Sequence, residues 1–432
     1  MDKREQVVKA LHDGLAVATG CTEPVAIAYA GAVARSHTDG EVQAIHLEAS
    51  GNIIKNAFVV GIPGTTLTGL QSAVALGVAC NNPREKLNLL NDVRPEQVDL
   101  AVHMVERGLV TVERAEVPYK LYIKATVRTQ NDTASAEIIG THTSVSSIVK
   151  NGKEVYKGGC HDGSTEESEA ACLDFTLRDI YDVCLSAPLD DFVVIREGID
   201  LNRRISTEGL TGEYGLRVGR TIKDNVTRGI MADDVASHAM LSTAAGSDAR
   251  MAGVSLSVMS NSGSGNQGIA ATMPVVAAWE RIGGGDEEKL VRACALSNLV
   301  TIYIKSKFGV LSALCGAVIA GTGVACAMVY LMGGTFGQIE MAVQNVLGNV
   351  TGMVCDGAKS SCALKISTCV NAAMQAAMLA MNGLCVGGNE GIVEPLTEHT
   401  INNFATLGKE GAEELDRLVL DMIIKKDCPD LN

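Results

Sequence analysis

Aromatic side chains are scarce: the 432 residues include six Phe, eight Tyr and one Trp. A surface that stacks bases or sugar rings draws on more than that, so recognition of that kind is not expected. Positive charge is also short, with 36 Lys and Arg against 50 Asp and Glu and a formal net charge of −14. That balance leaves no electrostatic footprint for a phosphate backbone, and nucleic acid is not an expected partner. The start, Met1-Asp2-Lys3-Arg4-Glu5, mixes both signs and runs into Val7, Val8, Leu11 and Leu15 without a long apolar core. No secretory signal is read there. The 13 cysteines are therefore expected to stay reduced in a cytoplasm rather than to form a disulfide framework.

What is present is ordinary globular material, 47% hydrophobic and 20% charged. It is enough chain for two or three domains with a buried core. With few rings and 45 glycines, the interior must be built from Ala, Val, Leu, Ile and Met at close backbone approach. Residues 251–279, 308–339 and 366–389 carry no Asp, Glu, Lys or Arg, and each run is long enough to span a bilayer. They are also studded with Gly, Ser, Thr, Asn and Gln, as in Ser260-Asn261-Ser262-Gly263-Ser264-Gly265-Asn266-Gln267. Hydrocarbon penalises such groups, so these runs are read as buried helices and loops, with no membrane as partner.

The first forty residues read as two helices broken at Gly20-Cys21-Thr22-Glu23-Pro24, where Thr22 can cap and Pro24 suits a first turn. Strands are expected at 42–47 and 58–62, a turn at 61–64, and helices over 65–79 and 83–107. Strand patterns return at 110–112, 121–127 and 134–139. Asn151-Gly152 between two β-prone runs predicts a type I′ hairpin. Ser164-Thr165-Glu166-Glu167 has capping-box spacing and predicts a helix through Ala171, Leu173, Phe175, Leu177 and Ile180. Beyond it, helical patterns alternate with Gly-rich breaks. The expected fold class is α+β: a mainly helical domain made of residues 1–40 and 161–432, with a smaller α/β domain inserted at 41–160. No solenoid period is present.

Several residue patterns can carry chemistry. Cys315, Cys355 and Cys362 lack the two-to-four-residue spacing of structural zinc knuckles. Two of them share a Gly-containing loop and a third comes from elsewhere, which can present three thiolates to an iron-sulfur cluster. Spacing alone leaves a second reading open, three inert buried thiols. Cys21 stands where a helix begins, and a helix N-terminus favours a thiolate that can act as base or nucleophile; a packed cysteine beside a turn is the other reading. Gly263-Ser264-Gly265-Asn266-Gln267-Gly268 matches G-x-G-x-x-G, which leaves open dinucleotide binding, a carboxylate grip by loop amides, and tight helix packing. No clear run of βαβ units surrounds the motif, and Pro274 falls early in the helix that follows it. Lys55 and Asn56, in Gly51-Asn52-Ile53-Ile54-Lys55-Asn56, put a cation and amides beside a glycine. His142 and His161 follow strands and can reach the domain boundary, but nothing in their setting assigns a role, since lone histidines are more often structural.

Taken together, Gly20 to Pro24, Ser50 to Asn56, Ser247-Asp248-Ala249-Arg250, Met259 to Gly268, Leu311 to Cys315 and Cys355-Asp356-Gly357-Ala358 resemble the L-cysteine desulfidases. These are relatives of the iron-sulfur L-serine dehydratase alpha chain. The resemblance runs in order from about Gly20 to Glu390. It implies a lyase that splits L-cysteine into pyruvate, ammonia and hydrogen sulfide with a [4Fe-4S] cluster and without pyridoxal phosphate. By motif position, Cys315, Cys355 and Cys362 are the implied cluster ligands and Cys21 the implied base. Cys326, Cys369 and Cys385 match no ligand position and are read as core residues.

An α,β-elimination removes a proton from an unactivated Cα while a β substituent departs. The expected division of labour gives proton removal to Cys21. The loop containing Ser260, Ser262 and Asn266, with Lys55 and Asn56, positions carboxylate and amino group. L-serine dehydration is the alternative by the same mechanism; a nicotinamide-dependent oxidoreductase and a non-catalytic iron-sulfur protein are alternatives of other kinds. The expected partner is a small amino acid, and a homo-oligomer is left open.

Overall fold

The computed structural model describes residues 2–158, 173–308 and 313–427. Helix α1 (Lys3–Gly14) opens on a capping box in which the Glu5 amide donates to Asp2 Oδ1 at 2.7 Å. The chain continues as strand β1 (Leu15–Thr19) and, after Gly20 and Cys21, helix α2 (Thr22–Arg35). Strand β2 (Val42–Ala49), helices α3 (Gly51–Ala57), α4 (Gly69–Cys80) and α5 (Pro95–Glu106), and strands β3 (Val110–Arg114), β4 (Tyr122–Thr129), β5 (Thr133–Ile139), β6 (Val145–Lys150) and β7 (Lys153–Lys157) follow. The strands form one sheet of order β3-β2-β4-β5-β6-β7, parallel only between β2 and β3. Asn151 and Gly152 adopt φ of 51° and 76° at the β6–β7 turn, the conformation that a type I′ hairpin requires.

One face of this sheet is apolar. Ile45, Leu47, Ile123, Ala125, Val127, Ala136 and Ile138 are buried in a single core with α2 and α4, as alternation demands of a sheet covered on one side. Helix α2 therefore belongs to the α/β core, and the two cores divide near Gly20 and Cys21 rather than at residue 40. The expected strand at 58–62 does not form. Its backbone bonds go elsewhere: the Gly61 amide donates to Met251 O at 3.0 Å and the Ile62 amide to Leu67 O at 2.9 Å. The helix expected over 83–107 is interrupted, with a short 3₁₀ turn at Pro83–Asn88 preceding α5.

The helical body contains α6 (Leu177–Ser186), α7 (Val193–Thr211), α8 (Val218–Thr227), α9 (Val235–Met251), strand β8 (Ser257–Asn261), α10 (Gly265–Arg281), α11 (Glu287–Phe308), α12 (Gly316–Leu331), α13 (Phe336–Asn349), α14 (Cys362–Met381) and α15 (Thr397–Lys409). The helix start expected at Ser164 lies outside the described residues; Leu173 and Phe175 are not helical, and α6 begins at a capping box built on Thr176 and Asp179. Helix α9 packs against α7, α8, α10 and α14. Helix α1 joins this core through Val7 and Leu11, and β1 pairs antiparallel with β8 from Leu15 opposite Asn261 to Thr19 opposite Ser257. A last helix, α16 (Ala412–Asp427), returns to the α/β core through Leu420. Among the described residues one helix, α14, is long and apolar enough to cross a bilayer, and half of its apolar window is buried.

Glycine does the work that rings do in other cores. A Cβ on Gly77 of α4 would stand 1.9 Å from Ala28 O of α2, and one on Gly209 of α7 would stand 1.9 Å from Ala245 O of α9. Helix propensity alone favours alanine over glycine by about 1 kcal/mol, whereas a Cβ driven into backbone has no flexible atom to displace. Gly77→Ala is therefore expected to destabilise, by about 1–3 kcal/mol as overpacking does, read as a lower denaturant midpoint at unchanged m. A stabilised variant would contradict the close approach of α2 and α4.

Candidate active site

Four helix N-termini meet at one cavity of about 250 Å³. Cys21 is the N-cap of α2, Ser264 of α10 and Cys315 of α12, while Cys362 is the first residue of α14; all four line the cavity. Each N-terminus contributes unpaired amides and about half a positive charge. Cys355 arrives by a short antiparallel pairing: Leu314 bridges Val354, the Cys315 amide donates to Met353 O at 2.8 Å, and the Cys355 amide donates to Ala313 O at 2.7 Å. Cys315 and Cys355 thus stand diagonally on the same face of the bridge. Gly357 turns the following loop at φ 94°, and a Cβ there would meet Lys55 O at 2.1 Å.

Burial sets the state of these thiols. It pushes Cys21 up to about 11, against the pull of the Arg250 guanidinium, which also hydrogen-bonds to it. It pushes Cys315 up to about 12, and the neighbouring Cys355 adds to the rise. Cys362 is raised by burial and by Cys355, while Lys359 and Lys365 pull it down. Thiols that repel one another's charge are relieved by a shared positively charged inorganic centre, and Lys359 and Lys365 favour the thiolates that would bind it. Among the described residues no three His, Cys, Asp or Glu side chains converge on a single metal ion. The all-sulfur donor set of Cys315, Cys355 and Cys362 fits an iron-sulfur cluster.

The structure brings most of the expected residues together. Cys21, Lys55, Asn56, Ser262, Asn266, Cys315, Cys355 and Cys362 all line the cavity. Ser260 does not: its hydroxyl donates to Ala16 O at 2.7 Å within the β1–β8 ladder. Lys55 is buried, and its ammonium is taken by Asp416 of α16 at 2.7 Å. Asn56 Nδ2 donates to Glu23 Oε1 at 3.1 Å. Ser262 holds φ 48° and donates its hydroxyl to Asn261 Oδ1 at 2.9 Å. Asn266 sets Nδ2 3.4 Å from Met251 Sδ and leaves Oδ1 buried without a partner among the described residues. His142, in the turn after β5, is lowered, burial outweighing the opposing charge of Glu23; His161 lies outside the described residues. Cys326 and Cys369 are buried in the core and Cys385 is exposed.

The G-x-G-x-x-G run does follow a strand and open a helix, but β8 pairs only with antiparallel β1. A Cβ on Gly265 would stand 2.3 Å from Arg250 Nε and one on Gly268 2.0 Å from Met259 O, so these glycines are explained by packing. Sequence reasoning did not single out Glu23, Arg250, Gln267 or Lys305, which also line the cavity. The available signal was a charged pair, Asp248 and Arg250, inside an otherwise uncharged stretch of α9.

The serine dehydratase alpha chain family model matches residues 85–421. The UPF0597 protein of Oleidesulfovibrio alaskensis is 44% identical over 419 residues, covering 96% of this chain and 97% of the relative. A UPF0597 protein of Bacteroides fragilis is 42% identical over 427 residues, 99% of both chains, and that of Porphyromonas gingivalis is 40% identical over 98% and 99%.

The loop between Cys355 and Cys362 is held by Asp356, which pairs with Lys359 at 2.5 Å and with Lys365. Burial pushes this carboxyl up, but the hydrogen bonds and charge of the two lysines outweigh it and hold it at about 2. Because the folded value lies below the ordinary value of about 3.9, the stabilisation is present above pH 4 and is lost as pH falls toward 2. Asp356→Asn is expected to remove that acid sensitivity. It also leaves two cations that already pull Cys362 down, so in metal-free reduced protein iodoacetamide is expected to alkylate Cys362 several-fold faster at pH 8. An unchanged rate would separate the loop's charge pairs from its thiols.

Proposed function

The chain belongs to the serine dehydratase alpha-chain family, and from that premise we propose an iron-sulfur-dependent α,β-elimination on a small amino acid, with L-cysteine going to pyruvate, ammonia and hydrogen sulfide. The observation that supports it is the meeting of Cys21, Cys315, Cys355 and Cys362, from separated stretches of chain, at one cavity. In this reading Cys315, Cys355 and Cys362 hold a [4Fe-4S] cluster. When bound with three thiolates it supplies an open iron, a Lewis acid for the group leaving Cβ.

Cys21 Sγ takes the proton from Cα. Burial opposes its ionised form, and the α2 N-terminus and Arg250 supply the opposing field. The electron pair left on Cα forms the Cα–Cβ double bond as the Cβ–S bond breaks, and sulfur departs with the bonding pair. The aminoacrylate released tautomerises to an imine and hydrolyses in water to pyruvate and ammonia. Asn56, Ser262 and Asn266 face the substrate in this scheme; Lys55 acts through Asp416, and Ser260 through the ladder that carries the loop. L-serine is the second reading, favoured by the family's own description; the Cα chemistry is identical and the oxygen leaves instead of sulfur.

Anaerobically purified protein is expected to carry iron and acid-labile sulfide near four of each per chain and to release sulfide from L-cysteine without added nucleotide. Protein lacking both iron and sulfide eliminates the cluster. Cys315→Ser, Cys355→Ser and Cys362→Ser are each expected to lose the visible chromophore. Cys21→Ser is expected to keep it while turnover falls about 10²–10⁴-fold, the usual worth of a general base. Loss of iron from Cys21→Ser would make Cys21 a ligand and leave the proton without an acceptor. The ratio of kcat/KM for L-cysteine and L-serine decides between the two substrates.

A further inference from the structure

Among the described residues, three charged side chains of the cavity lining form no ion pair: Arg250, Glu23 and Lys305. Lys305 lies on the side of Cys355, whose charge acts on it, which leaves Arg250 and Glu23 as the opposite charges beside Cys21. Arg250, in the last turn of α9, is buried. Its Nη2 donates to Gly20 O at 2.9 Å, it hydrogen-bonds to Cys21, and its Nε is buried without a partner among the described residues. The nearest acid on its own helix, Asp248, accepts from the Gly219 amide at 3.0 Å. Among the described residues no carboxylate forms an ion pair with Arg250. Glu23 is the converse. It accepts from Asn56 Nδ2 at 3.1 Å and from Thr22 Oγ1 at 3.5 Å, and among the described residues no Lys, Arg or His forms an ion pair with it. Lys55, the cation beside Asn56, is already held by Asp416.

An unpaired buried charge is costly, and a guanidinium fork is shaped to receive a carboxylate. Resting on the elimination reading above, we infer that Arg250 receives the α-carboxylate and Glu23 the α-ammonium, so that the cavity selects zwitterionic α-amino acids and rejects molecules bearing only one of the two groups. Both residues act on Cys21, Arg250 by charge and hydrogen bond and Glu23 by charge. A Cα that carries both substituents then lies between the two poles, within reach of the Cys21 thiol on which both of them act. The β carbon is left to point at the remaining thiols. This assignment replaces Lys55 and Ser260 as readers of the charged ends.

L-alanine tests the idea because it has both charged groups and no leaving group on Cβ. Propionate has the carboxylate alone and L-alaninamide the ammonium alone. Titration calorimetry on the anaerobically purified protein is expected to show L-alanine binding roughly thirtyfold tighter than either, the scale of one charge-assisted hydrogen-bonded contact. Arg250→Gln should weaken L-alanine by about that factor and leave L-alaninamide unchanged. Glu23→Gln should weaken L-alanine and leave propionate unchanged, and Arg250→Lys should recover part of the loss. Arg250→Gln weakening L-alanine and L-alaninamide alike would make Arg250 a scaffold for Gly20 and Cys21 only, and the inference falls. It falls also if wild-type protein does not bind L-alanine at millimolar concentration or binds propionate equally well. Thermal melts by circular dichroism identify a variant that has not folded, in which case Glu23→Gln and Arg250→Lys carry the test. Protein without iron or sulfide release that still discriminates L-alanine sinks the elimination reading and spares this one; iron-loaded, active protein without discrimination does the reverse.

Discussion

Cys21 is held in place by a five-residue antiparallel ladder. Strand β1 lies on β8 from Leu15 to Thr19, and the chain then turns at Gly20, φ 66°, where a Cβ would stand 2.1 Å from Pro63 Cγ. The Gly20 carbonyl is taken by Arg250. One residue later α2 begins, inside a different core. The junction between the two cores and the start of the helix that carries Cys21 are therefore the same few residues. Shift the ladder by one residue and β1 presents its other face, carrying the turn and the thiol away from Cys315, Cys355 and Cys362.

Bringing four helix N-termini to one small cavity also requires thin packing around it. Bulky side chains would hold the helix axes apart, and the chain has few. At Gly209 against Ala245, and at Gly323 against Ser297 O, where a Cβ would come within 2.2 Å, helices meet backbone to backbone. The scarcity of aromatic residues and the abundance of glycine are two expressions of one constraint, that helices must converge at close range. The same closeness removes water, and the consequence is legible in the thiols, each raised by burial wherever a shift is resolved.

Local features of the fold were readable from the sequence. The Asn151-Gly152 hairpin needs only two left-handed residues and two β-prone flanks, and the alternating strands β4 and β5 announce themselves by period. Strand β1 did not, because Leu-Ala-Val-Ala-Thr has no distinctive local pattern and its partner is some 240 residues away in sequence. Lys55 failed for a related reason. A lysine beside a glycine and two amides looks free to meet substrate, but Asp416 arrives from α16 to claim it. Spacing left Cys315, Cys355 and Cys362 undecided between ligands and core, and it was the ordered set of motifs that tipped them. Arg250 and Glu23 lie within recognisable motifs, but pattern does not assign them a role, since what marks them is the lack of an ion-pair partner among the described residues, which only the folded chain defines.

The two charges stand on different bodies. Glu23 opens α2, whose buried face belongs to the α/β core, whereas Arg250 closes α9 in the helical body. Their separation is consequently set by the contacts that lock one body to the other: the ladder, the bond from Arg250 to Gly20, the amides of Gly61 and Gly64 on Met251 and Gly253, and α16, which lays Leu420 against Gly51 and Asp416 against Lys55. A hinge here would move the two charges relative to each other and to Cys21 at once. Loosening any of these contacts therefore acts on the reading of both ends of a ligand and on the thiol between them, even though Asp416, Gly61 and Leu420 lie outside the cavity lining. Lys55 regains a purpose on that view. Its buried ion pair contributes by fixing α3, and with it Asn56 and the orientation of Glu23, rather than by meeting the ligand itself.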